Sequence, residues 1–199
     1  MLHDWNNLFS MTGAAGAQLI GLLFVVVTLG GSGLSASQSV DGIRAFLTPT
    51  LVNFGGVMFQ AVAVLALWPS DPSIGLILVL GGLAGLAYRI YGIRLERKLD
   101  FVTLHGLDWI PYDAVPILGN ASLIAGGAGL IAEKSFAPYA IASASALLLF
   151  AGIYGAWDFT LWIIKNRDKI SKTAHEPSSR EPHESAALRI SAAFKEQLK

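Results

Sequence analysis

The sequence predicts an all-α membrane protein: a five-transmembrane-helix bundle, N-terminus outside and C-terminus in the cytoplasm, with a short cytoplasmic amphipathic C-terminal helix. Three observations predict it. Charged residues make up only 14% of the 199 residues, while hydrophobic residues make up 53%; a soluble domain carries about 25% charge. The charges are also segregated, with none between Asp4 and Asp41, Arg44 and Asp71, Asp71 and Arg89, Asp113 and Glu133, or Lys134 and Asp158. Finally, every Lys and Arg except Lys134 falls on one side of a five-span arrangement.

Each charge-free gap holds one span, because a helix needs about 20 apolar residues to cross ~30 Å of hydrocarbon. The first gap holds only one, since Gly30-Gly31-Ser32-Gly33 and Ser35-Ala36-Ser37-Gln38-Ser39 interrupt it. The spans are expected near 11–33, 49–68, 73–93, 114–132 and 137–163, within a transmembrane domain of residues 1–164. Thr48-Pro49 and Asp71-Pro72 put a capping residue before a proline in the first turn. Asp113 and Ser135 are expected to cap the fourth and fifth spans. Trp68, Trp109, Tyr112, Tyr139, Trp157 and Trp162 lie near span ends, where amphipathic rings favour the headgroup level. Residues 1–10 hold no Lys or Arg, so a cleaved signal peptide is not expected.

Five spans place loop 34–48, loop 94–113 and the tail on one side, together with all the Lys and Arg but one. Cytoplasmic loops carry the excess of positive charge, so this side is expected in the cytoplasm. Four or six spans would spoil the asymmetry.

Small residues at four-residue spacing mark expected helix-packing faces: Gly13, Ala17 and Gly21 in span 1, Gly81 and Gly85 in span 3, and Gly152 and Ala156 in span 5. Span 4 is densest in Gly and Ala, with Gly126 in a Gly119–Gly129 run, and is expected among other helices rather than against lipid. Five short spans leave a face under-covered, so self-association is expected.

The uncharged polar groups at membrane depth are few. Gln18, Asn53, Gln60 and Asn120 either line a hydrophilic pore or hydrogen-bond between helices. Arg89 and Asp158 are the charges inside spans, at equal depth and of opposite sign, and a structural ion pair between them is expected. The absence of other ionisable residues at depth argues against a proton-coupled pump.

Chemistry-bearing motifs are missing. Cys is 0, which excludes disulfides, thiolate metal sites and Cys nucleophiles. No GxSxG, P-loop, HExxH or dinucleotide-binding turn occurs. Asp100, His105, Asp108 and Asp113 match no zinc or calcium spacing, and segment 94–113 reads as interfacial. No catalytic residue, metal or cofactor is expected. The zero net charge gives no pull toward nucleic acid.

Residues 165–199 form a cytoplasmic tail. Its first part, 165–183, is charged and carries Pro177 and Pro182, so it is expected to be flexible. Ala187, Ile190, Phe194 and Leu198 then form one apolar stripe over a helix expected at 184–198. This segment fits three states: resting on anionic lipid, docked on a cytoplasmic or membrane partner or sister subunit, or frayed.

Two blocks carry a resemblance. Trp5-Asn-Asn-Leu-Phe9 followed by Gly13-Ala-Ala-Gly-Ala17 and Gly21-Leu-Leu-Phe-Val25, with Thr48-Pro-Thr-Leu-Val-Asn-Phe-Gly55, resembles a group of small bacterial multi-pass inner-membrane proteins. That group shows an aromatic pair, a small-residue run and a GLLFV-like segment, and some members are loosely labelled membrane-protease modulators. The resemblance covers roughly the first half of the chain. It implies a bacterial inner (plasma) membrane location and supplies no catalytic residue. The expected role is non-enzymatic: an oligomeric structural or accessory component in the lipid bilayer. The alternative is an oligomeric channel for a small ion or neutral solute.

Overall fold

The computed structural model describes residues 2–31, 47–66, 70–98 and 110–175. Helix 1, Asn6–Gly31 (α1), follows a 3-10 turn at His3–Trp5. It is followed by Thr48–Leu65 (α2), Asp71–Lys98 (α3), a π-helical turn at Ile110–Ala114 leading into Val115–Ile131 (α4), and Ala137–His175 (α5). All five are long and apolar enough to cross a membrane. Among the described residues there is no strand.

The spans fall where the charge gaps predict, with shifted ends. The first helix starts five residues earlier than the expected span, and the Trp5 ring meets the Tyr139 ring edge-on at 4.8 Å. The last helix runs on to His175, so residues 165–175 are helical rather than flexible. No Gly or Pro, the residues that weaken a helix most, stands between Gly155 and Pro177. The helix expected at 184–198 lies outside the described residues.

The expected caps differ as well. Thr48 is inside α2, whose N-cap position is Leu47 in helical conformation with no capping side-chain hydrogen bond. Asp113 does not cap α4 either: its N-cap position is Ala114, and the Asp113 carboxylate is bonded elsewhere. The α4 C-terminus closes with a Schellman motif, Lys134 N donating to Gly129 O at 2.8 Å and Glu133 N to Leu130 O at 3.2 Å. Glu133 takes the left-handed position usually given to glycine, at φ 53°.

The most extensive contacts join α3 to α4 and α4 to α5, and α2 lies between α1 and α5. By contrast, α2 and α3 touch much less, and this leaves a cleft between them. Two apolar clusters hold the bundle. One contains Phe9, Leu78, Leu123, Leu130 and Ile141; the other contains Leu23, Leu47, Phe159 and Ile163. The first helix, α1, is the least buried of the five, with Met11, Leu22, Phe24, Val25 and Leu29 exposed.

Candidate functional site

Arg89 sits on α3 and is buried, at 8% exposure. A buried guanidinium needs acceptors and a counter-charge. Both come from the turn that precedes α4. Arg89 Nη2 donates to Asp113 Oδ1 at 2.6 Å and to the Tyr112 carbonyl. The Tyr112 hydroxyl in turn donates to Asp158 Oδ2 on α5, and the Tyr112 ring packs edge-on against Tyr154 at 5.5 Å. The expected Arg89–Asp158 pair is therefore corrected: the two are linked through Tyr112 and Asp113, not joined directly. The reason is packing. Helices α3 and α5 make little contact, while α3 and α4 share the largest interface, so the nearest carboxylate to Arg89 belongs to the start of α4.

The four amides do not line one path. Gln60 is fully buried, and Ser145 Oγ on α5 donates to its Oε1 at 2.6 Å. Asn120 is 8% exposed, and its Nδ2 donates to Pro116 O at 2.8 Å within α4. Asn53 is half-buried and makes no hydrogen bond among the described residues. Gln18 lies on the outer surface of α1 and likewise has no partner among them. Asn53 and Asn120 share a cavity wall, Gln60 joins α2 to α5, and Gln18 faces away.

The packing glycines also separate. A Cβ on Gly13 would collide with Ala61, one on Gly81 with the Phe59 ring, and one on Gly85 with the Asn120 amide. A Cβ on Gly126 would come within 2.5 Å of Ile141 Cγ1. Gly21, however, has nothing within 4 Å, and Ala17 is exposed. The single face expected from Gly13, Ala17 and Gly21 thus splits, because eight residues at 3.6 per turn rotate the stripe by about 80°. Gly13 faces α2, and Ala14, Ala17, Gln18 and Gly21 form an outward patch.

The cleft between α2 and α3 is a cavity of about 520 Å³, inside the ~300–1,000 Å³ range of small-ligand sites. Leu123 and Leu148 are buried in its floor, and Val52, Phe59 and Tyr88 are exposed at its rim. Pro49, Asn53, Arg89 and Asn120 also line it. Among the described residues no group of three or more His, Asp or Glu is placed to hold a metal. Of the four residues whose spacing matches no zinc or calcium site, Asp100, His105 and Asp108 lie outside the described residues, and Asp113 is bonded to Arg89.

Sequence reasoning placed Tyr112 near a span end and Ser145 at membrane depth in span 5 but gave neither a partner, and it assigned Asp113 to a cap. The available signal was positional: Tyr112-Asp113 stands at the same expected membrane boundary as the polar end of span 3. Comparison with protein families, curated proteins and solved structures finds no match for this chain.

Proposed function

We propose that this chain is a non-enzymatic component of the bacterial inner membrane, N-terminus outside and C-terminus in the cytoplasm, which self-associates and acts as a structural or accessory subunit. The observation that carries this reading is the outward Ala14–Ala17–Gln18–Gly21 patch near the middle of α1. In a bilayer that patch faces hydrocarbon, where an unpaired amide is costly. A second copy relieves it. Each Gln carries both a donor and an acceptor, so two Gln18 side chains across a two-fold axis are complementary. The Ala and Gly on either side let the two helices approach closely.

Single-molecule photobleaching of the full chain in vesicles, across a range of protein-to-lipid ratios, tests the reading. Gln18→Leu is expected to weaken association by about 0.6–2 kcal/mol, roughly 3- to 30-fold, without unfolding the bundle. A wild-type chain that stays monomeric at every ratio would sink the reading. The orientation rests on the Lys and Arg distribution. Reporter fusions at residues 1 and 199 are expected on opposite sides, with 199 cytoplasmic; both ends on one side would refute the five-span arrangement.

A further inference from the structure

The cleft between α2 and α3 has a chemical polarity along its length. Pro49 at the start of α2, Pro116 at the start of α4 and Arg89 toward the end of α3 line the same cavity, so these helix ends lie together. Gly81 and Phe59 mark the other end, about 12 Å away at 1.5 Å per residue from Arg89. Asn120 stands midway, level with Gly82 and Gly85, and Asn53 is one turn along α2 from Pro49; the Phe59 and Gly81 end is apolar. Arg89 is nine-tenths buried; its Nη2 is bonded, but its Nε is buried with no acceptor among the described residues. A buried donor left unmade is a destabilising element that an incoming acceptor removes.

We propose that this cleft binds one ester-linked acyl chain of a membrane phospholipid, with the ester carbonyl on Arg89 and the chain running toward Phe59 and Gly81. Three observations select this occupant. The rim residues Val52, Phe59 and Tyr88 are exposed on membrane-spanning helices, so the mouth opens sideways into lipid. Arg89 lies five residues before Arg94, the last residue of the apolar stretch Pro72–Arg94, or roughly 8 Å in from it. The 23 residues of Pro72–Arg94 rise about 34 Å against a hydrocarbon core of about 30 Å, so Arg89 lies about 5 Å inside the junction of headgroup and chain, within side-chain reach of the ester carbonyls there. Charge decides the rest. Asp113 already balances Arg89, and Asp158 adds a further carboxylate through Tyr112, so a neutral acceptor fits and an anion is repelled. The inference goes beyond self-association and rests only on the helices lying in a bilayer.

The test uses the full chain purified in mild detergent, stripped of lipid, and offered equimolar diacyl (ester) and dialkyl (ether) phosphatidylethanolamine of equal chain length. Retained lipid is counted by native mass spectrometry. Wild type is expected to hold one ester lipid per chain, favoured over its ether analogue by about fivefold or more, the effect of one hydrogen bond. Arg89→Lys keeps a cation for Asp113 but removes the planar guanidinium, and should bring the ratio close to one. Gly55 lines the cleft, and a Cβ there meets nothing within 4 Å. Gly55→Leu is therefore expected to fill the cavity and abolish retention without lowering the melting temperature. Val52→Trp at the rim does the same should Gly55→Leu fail to fold. Equal retention of ester and ether lipid, no retained lipid in wild type, or undiminished retention in both filled variants would each overturn the proposal, as would displacement of the ester lipid by an equimolar free fatty acid added in a second arm. None of these readouts depends on whether the chain is monomeric.

Discussion

Arg89→Ala is expected to destabilise the bundle by about 3–5 kcal/mol, because it strands carboxylates that the guanidinium now balances. The side chains of Arg89 and Asp113 are 9% and 16% exposed, so neither is screened as a surface pair would be. The substitution also leaves the Tyr112 carbonyl without its donor. Replacing both charges, Arg89→Met with Asp113→Leu, is expected to cost much less than either change alone, since no uncompensated charge remains. The cycle of single and double variants should therefore show strong coupling. Asp158→Asn is expected to be mild, about 1 kcal/mol, because the amide oxygen still accepts from the Tyr112 hydroxyl. Unfolding in bicelles by heat or by a denaturing detergent reads all five variants: Arg89→Ala, Arg89→Met, Asp113→Leu, their double and Asp158→Asn. A silent Arg89→Ala, or a double variant no better than the worse single one, would show that the pair does not hold α3 to α4.

The five spans were legible because a charge is the most expensive residue to place in hydrocarbon, so its absence over a span length is a strong signal. Their ends were less legible. Asn6 and Asn7 are helical although polar, because a helix does not stop where the membrane does; it stops where the backbone must, as at Glu133. Capping by Asp113 was a local expectation that a tertiary contact displaced. The turn at Ile110–Ala114 delivers the Asp113 carboxylate to Arg89, and a charge-assisted bond to a buried guanidinium outweighs a cap of about 1 kcal/mol.

Two of the four members of the polar site were legible, but not its wiring. Equal depth and opposite sign singled out Arg89 and Asp158, and both belong to the network. Depth is a one-dimensional coordinate, however, and says nothing of which helices are neighbours. Gln60 shows the same limit: its amide was read from sequence, whereas its partner Ser145, 85 residues away, depends on α2 packing against α5. The cleft was invisible, because it is created by the weak contact between α2 and α3, a property of the whole arrangement.

Glycine content carries the same lesson to its sharpest test, for the same substitution should have opposite signs at different positions. Gly75 on α3 and Gly127 on α4 meet backbone to backbone. A Cβ on Gly127 would lie 2.6 Å from Gly75 O and 3.0 Å from Val79 N, and one on Gly75 would lie 2.6 Å from Gly127 O. No side-chain rotation relieves a clash with a carbonyl oxygen of a packed helix. Carbon contacts are comfortable only near 3.5–4.0 Å, so the helices must separate by about 1 Å. That separation propagates along the seam, where a Cβ on Gly82 would lie 3.0 Å from Asn120 O and one on Gly85 would strike the Asn120 side chain. Because α3 and α4 share the most extensive interface, Gly127→Ala is expected to cost about 3 kcal/mol, the upper end for overpacking, and Gly127→Leu to prevent assembly of the bundle. Gly55→Ala and Gly92→Ala meet nothing within 4 Å. There the only change is the better helix propensity of alanine, so they should be neutral or stabilising by up to about 1 kcal/mol. Melting of the four variants beside wild type decides the matter. If Gly127→Ala proved as harmless as Gly55→Ala, the close crossing of α3 and α4 would be wrong, and the positions of Arg89 and Asp113 that depend on it would fall as well.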